Sequence, residues 1–285
     1  MAGIIPGPLI AGPEPVGRRY GLLSAAAGPI DLPPHGRGGG VRYVPVTCGE
    51  ATPYPIDCSG GLVEHPEKES QPSEEPFDAF PFLVTAAIPC GSVGYREEEF
   101  RAKVERRLAN GEQGAAELAL WTGAVSVGGA SLGITNLQDS AIDITVDSSD
   151  FTAVLAGLED WLYREQGYGN VGYIHAPVLT AAWAGDHHEV EKDGALKKTP
   201  YGSIWIFGGG YPGTGAGGVE PPEGGAYLYI TGQTTVWRSA DVFTYPVNQT
   251  LDRSTNQHFL LSEREYAIGF DCVVGRALFN PLGGS

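Results

Sequence analysis

The stretch Arg96 to Trp121, REEEFRAKVERRLANGEQGAAELALW, holds a helical period from end to end in a sequence otherwise crowded with helix breakers. Apolar residues recur at Phe100, Val104, Leu108, Ala115, Leu118 and Trp121, close to one stripe of a 3.6-residue repeat. Three glutamates occupy its first turn, where the helix dipole favours negative charge. Asn110-Gly111 costs about 1 kcal/mol of helix propensity and is the natural place for a bend. With 42 glycines and 22 prolines in 285 residues, long helices can be only a minority of the fold. One such helix set among turns and extended segments predicts an α+β chain.

The remaining pattern fits that class. A second helix is expected from about Asp150 to Gln166, with Ser148, Ser149 or Asp150 as cap, Phe151, Val154, Leu155, Leu158 and Leu162 on its apolar face, and Gly167 as stop. VGYIHA reads as a buried strand, and PVLTAAWAG as a short helix opening at Pro177 and closing at Gly185. FPFLVTAAI, from Phe80, has strand composition, and beyond Asp186 HHEVE, SIWIF, AYLYITG, TTVWRS, VFTYPV and EYAIGFDCVV are all β in character, with a turn at Lys192-Asp193-Gly194. Residues 1 to about 60 lack helical period but carry Ile4, Ile5, Leu9, Tyr20 and Leu22, so they read as an extended arm ordered by lying on something else. HPEKESQPSEEPFD, His65 to Asp78, reads as an exposed acidic loop.

Several function classes fall away. In the glycine run GGGYPGTGAGG, Gly208 to Gly218, the residues Gly213, Gly215 and Gly218 satisfy G-x-G-x-x-G, but VEPPEGG follows and cannot open the helix whose N-terminus would hold a pyrophosphate. No Gly-Lys-Ser/Thr is present, and Glu220 and Glu223 would repel phosphate. A formal charge of −16 disfavours gripping nucleic acid or an anionic membrane surface. No apolar run is long enough to span a bilayer, and MAGIIPGPLIAGPEP has no basic leader, so export is not expected. Cys48, Cys58, Cys90 and Cys272 are too scattered for a disulfide scaffold or a zinc knuckle, and buried free thiols are expected.

No catalytic constellation stands out either. Asp186-His187-His188-Glu189 has metal-ligand composition, yet in a strand the two histidines would point to opposite faces. His175, between Ile174 and Ala176, reads as a core histidine hydrogen-bonded to backbone. A cytoplasmic cysteine hydrolase using Cys90 or Cys272 with His175 is the competing enzymatic reading, but no G-x-S-x-G, H-E-x-x-H or S-x-x-K motif accompanies it. The expectation is no enzymatic activity, no metal and no cofactor.

In the order of its elements the chain resembles the major capsid proteins of tailed bacteriophages, with the Hong Kong 97-type fold shared with encapsulins. The matching residues are Gly111-Glu112-Gln113, Glu117 and Trp121-Thr122-Gly123 at the helix end, the glycine-rich GAVSVGGASLGI after it, His175-Ala176-Pro177, the hairpin KDGALKKTPYGSIWIFGGGYPGTG, and LYITGQTTVWRS. The resemblance is clearest from Arg96 to Arg238 and concerns layout over most of the chain.

That resemblance implies an N-terminal arm (1–60), an extended β loop (61–95), a spine helix and following loop of a peripheral domain (96–129), an axial domain (130–238) and a C-terminal part of the peripheral domain (239–285). It implies a structural virion protein that self-assembles as hexamers and pentamers into an icosahedral head enclosing phage DNA without binding it specifically. Assembly would take place in the bacterial host cytoplasm, with scaffold, portal and decoration proteins as further partners and no membrane. Assembly contacts would come from Gly208, Gly210, Tyr211, Gly213 and Gly215 near the capsomer centre, where glycine tolerates differing backbone angles, and from Lys68, Glu74, Glu75 and Phe77 in the extended loop. Phe100, Val104, Leu108, Leu118 and Trp121 would pack the spine helix. Lys68 is the extended loop's lysine, and its acidic, proline-rich setting predicts non-covalent assembly. Another virion component, such as a decoration, pentamer-specific or tail protein, is the alternative structural reading.

Overall fold

The long helix forms at Glu97–Thr122 in a computed structural model that describes residues 17, 19–33, 38–45, 76–90, 97–123, 126–127, 130–131, 134–245, 251–252 and 257–282. Asn110-Gly111 does not interrupt it. Its buried face departs from the expected stripe: Val104, Leu108, Glu112, Ala116, Ala119, Leu120 and Trp121 are buried, whereas Ala115 is exposed and Leu118 is 41% exposed. Leu118 is therefore no core-packing residue of the helix. From Val104 the buried positions step by four through 108, 112 and 116, so a glutamate occupies the stripe, and a count of apolar residues alone slides the face around onto Leu118.

This helix lies on a six-stranded sheet whose central member is the long strand Gln257–Phe270. Pro81–Cys90 pairs antiparallel with it, from Ala267 opposite Pro81 to His258 opposite Cys90. Thr234–Arg238 and Phe243–Thr244 pair with other parts of the same strand, and Ala27–Asp31 runs parallel to Thr234–Arg238. Phe82 and Val84 point into the core while Leu83 and Thr85 are exposed, the period-2 alternation of a strand covered on one face. Within the expected extended loop of 61–95, the described residues are thus largely a strand of this sheet, packed beneath the helix through Val104, Leu260, Ala86, Ile88 and Phe100.

A second, seven-stranded sheet runs in the order 141–143, 274–279, 226–231, 173–177, 204–208, 196–198 and 191–193. Both faces of its four central strands are buried. Tyr173, Ile204, Ile206, Tyr229 and Val274 face the long helix and the first sheet, while Ile174, Trp205, Phe207, Leu228, Ile230 and Ala277 face Phe151–Asp160. That helix is capped by Asp150, whose side chain accepts from Ala153 N, and continues as one π-helical turn, Trp161–Glu165.

Two local expectations are corrected. Pro177 ends the strand Tyr173–Pro177, and the following helix begins at Thr180, whose hydroxyl donates to Pro177 O at 2.7 Å. His187 and His188 close that helix in a turn, His188 with φ 59°, and the next strand starts only at Glu191. Thr234–Arg238 belongs to the first sheet and Val274–Phe279 to the second. The chain changes sheets at Gly232-Gln233 and again at Asp271–Val273, and Asp271 N donates to Gln233 O at 3.0 Å to join the two crossings. Among the described residues no helix is long and apolar enough to cross a membrane.

Candidate functional site

The glycine run Gly208–Gly218 sits against the C-terminal half of the long helix and is anchored there by side chains from three segments. Glu117, fully buried, accepts from Gly210 N at 2.8 Å and from Leu22 N at 3.1 Å, so one carboxyl group ties both the glycine loop and the N-terminal segment to the helix. Trp121 Nε1 and Tyr229 OH both donate to Thr214 O, at 3.1 and 2.9 Å. Gln138 donates to Thr214 Oγ1 and, at 2.9 Å, to Gly215 O. The Trp121 ring lies between Tyr211 and Tyr229, at centroid distances of 4.9 and 4.6 Å.

Glycine is required here by closeness. A Cβ on Gly210 would collide with the backbone carbonyl of Gly114 in the helix, and one on Gly215 would strike the Tyr227 ring. Gly208, Tyr211, Gly213 and Gly215 are buried and Gly210 half-buried, so these five pack within the folded chain. Gly209 and Pro212 are exposed between them, and the longest exposed stretch follows from Ala216 to Glu220, with Val219 56% exposed.

Beneath the loop, His175 is completely buried, and its partners are side chains where backbone was expected. Tyr211 OH lies 2.9 Å from Nδ1, and the hydroxyls of Thr231 and Thr234 each lie 3.1 Å from Nε2. Three hydroxyls, each able to donate or accept, satisfy a neutral ring, and burial pushes its pKa down to about 3. Burial also pushes the Tyr211 hydroxyl well above its ordinary range, with nearby Glu117 adding to the rise. This is a structural histidine. Cys272 is disulfide-bonded, which corrects the expectation of a free thiol and removes it as a nucleophile. The side chains of Cys48, Cys58 and Cys90 lie outside the described residues.

The other expected contact residues divide. Lys68, Glu74 and Glu75 lie outside the described residues, while Phe77 is half-buried against Phe270 at 5.0 Å and Tyr43 at 5.5 Å. Val104, Leu108 and Trp121 are in the core and Phe100 is half-buried beside it. A second buried glutamate, Glu112, receives Arg264 at 2.9 Å and Arg238 at 3.3 Å, clamping the helix to two strands of the first sheet. Glu112 and Glu117 are legible in the sequence only as motif positions. Their signal is an acidic residue standing in the apolar stripe, with Arg238 and Arg264 on distant strands to answer Glu112.

Two groups of exposed apolar side chains bear on assembly contacts. Val178, Leu179, Val219 and Leu282 lie on segments leaving one end of the seven-stranded sheet, at 49, 52, 56 and 72% exposure. Leu83 and Phe243 lie on the face of the first sheet away from the long helix, with Phe243 edge-on to Tyr245 at 4.6 Å. Among the described residues no cluster of three or more metal-ligating side chains exists.

No protein-family model and no curated protein sequence matches the chain. Solved structures do. The capsid of Ralstonia phage GP4 superposes with a TM-score of 0.50 at 11% identity, covering 97% of this chain and 97% of that one. The capsid of an empty GTA particle gives 0.55 at 11%, covering 96% and 95%, and Microbacterium phage Oxtober96 gives 0.55 at 10%, also covering 96% and 95%. This is the Hong Kong 97-type fold. At these identities the likeness is one of fold, and it extends over nearly the whole length of each chain. In the Hong Kong 97-type fold of this chain, the long helix is fixed to the glycine loop by Glu117 and to the first sheet by Glu112.

Proposed function

We propose that the chain is the major capsid protein of a tailed phage, self-assembling into the icosahedral head that encloses the genome. The observation that carries the reading is the end-to-end correspondence with a phage capsid subunit, 97% of each chain, with no large insertion left over to house another activity. In this reading the seven-stranded sheet is the axial domain, and its apolar end, with Val178, Leu179, Val219 and Leu282, meets neighbouring copies around five- and sixfold axes. The helix and the six-stranded sheet form the peripheral domain, whose outer face, with Leu83 and Phe243, contacts adjacent subunits. Burying such patches against copies is the common fate of exposed apolar surface. A chain of charge −16 encloses DNA without gripping it, and scaffold, portal and decoration proteins are its natural further partners.

The test is expression of the chain alone and with its neighbouring genes, followed by particle mass from light scattering and negative-stain images. Shells or five- and sixfold rings are expected. A monomer of 30.0 kDa under both conditions would remove the reading.

A further inference from the structure

One cavity belongs to none of the surfaces above. It is an open groove of about 510 Å³ between Phe151–Asp160, the π-helical turn and the loop before Ile204–Gly208. Its walls are Ala156, Tyr163 and Tyr201, with Glu159, Asp160 and Arg164 among its polar groups. A second hollow of about 320 Å³ shares Ala156, Glu159 and Tyr201 and adds Glu189.

Three features give this groove a chemical preference. Tyr163 and Tyr201 stand 5.0 Å apart at 44°, two rings in tilted contact that together form an aromatic wall of the groove, and Tyr201 is 70% exposed with no core to fill. Glu159 is half-buried beside them and is held by hydroxyls alone, accepting from Thr199 Oγ1 at 2.6 Å, with burial raising its pKa. Arg164, the cation in the wall, is already bound by Asp160 at 2.8 and 2.7 Å and by Glu165 at 3.0 Å, so it leaves Glu159 and Glu189 unanswered.

The groove is also built rigidly. Tyr163 OH takes Gly172 N at 2.8 Å and meets Ser203 Oγ at 2.8 Å, fixing the ring. The Tyr201 turn is closed by Gly202 N on Thr199 O, with Gly202 at φ 117°, a conformation that favours glycine. A carboxylate beside fixed aromatic faces attracts an organic cation through both charge and the ring quadrupoles.

We propose that this groove is a binding site for an aliphatic ammonium or guanidinium group, lying against the wall formed by the Tyr163 and Tyr201 rings with its charge on Glu159. The ligand is either a free amine or a lysine or arginine side chain of a second copy. The site does not depend on the capsid reading.

The probe is n-butylammonium, titrated calorimetrically into the full unassembled chain at constant ionic strength, with n-butanol as the neutral control. Saturable binding of the cation and none of the alcohol is expected. Glu159→Gln keeps an acceptor for Thr199 and should weaken binding about tenfold or more. Tyr201→Ala removes an exposed ring and should weaken it roughly two- to fivefold. Circular dichroism of both variants should match the parent. If the assembled protein also binds the probe, the site serves a free amine. If only the unassembled chain binds it, a neighbour's side chain fills the groove in the assembly. Absence of saturable binding to the unassembled chain, or binding unchanged in both variants, would overturn the proposal.

Discussion

Replacing Glu117 by methionine removes two acceptors while keeping the side chain's length, and the structure sets the size of the loss. Leu22 N and Gly210 N would each be left without their carboxyl partner, in a place where Glu117 itself has no solvent exposure. An unsatisfied buried N–H costs about 1–3 kcal/mol, so the pair together predicts a destabilisation of about 2–6 kcal/mol. Glu117→Gln retains one carbonyl acceptor and should fall between parent and methionine. The assay is guanidinium unfolding of the unassembled chain followed by tryptophan fluorescence, which reports on Trp121 beside Tyr211. Because Gly210 loses its anchor, limited proteolysis should also cut the glycine loop faster in the methionine variant. A Glu117→Met protein within about 0.5 kcal/mol of the parent, with unchanged cleavage, would refute the assignment of Glu117 as the tie between loop and helix.

Other consequences are equally direct. His175 titrates near 3 when folded and near 6.5 when unfolded, so the unfolded chain binds the extra proton between those values. Its contribution to stability is complete well above pH 6.5 and is lost as pH falls toward 3, at a slope that approaches about 1.4 kcal/mol per unit; urea unfolding should show a loss of about 1 kcal/mol from pH 6.5 to 5.5, and His175→Asn should flatten it. Gly111→Ala puts a methyl group into open space in the middle of the long helix and should raise stability by about 0.5–1 kcal/mol in the same unfolding assay. Denatured without reductant, the chain should react with fewer than four thiol equivalents because Cys272 is disulfide-bonded, and reduction should restore four.

Local pattern carried the elements well and their partners poorly. The long helix spans Glu97–Thr122 where periodicity predicted Arg96–Trp121, and Asp150 caps the second helix as its side-chain chemistry requires. Pairing of Pro81–Cys90 with Gln257–Phe270 was not legible, because two strands so far apart in sequence carry no mutual signal until the sheet forms. The sheet crossings at Gly232-Gln233 and Asp271–Val273 are equally silent, each being an ordinary turn between apolar strands. The glycine loop was visible as glycine, but its reason was not. Gly210 lies against Gly114 of the helix, a contact that only the folded core specifies. The burial of Glu112 and Glu117 was silent for a related reason: Arg264 for one and backbone N–H groups for the other make it tolerable, and those partners come together only in the folded chain.

The central claim is that this chain builds a shell from copies of itself, and cryo-electron microscopy of the purified expression product tests it most directly. The account predicts closed particles with five- and sixfold capsomers, in which the end of the seven-stranded sheet bearing Val178, Leu179, Val219 and Leu282 is covered by neighbouring subunits. Dispersed 30.0 kDa monomers, or particles in which that end faces solvent, would contradict it.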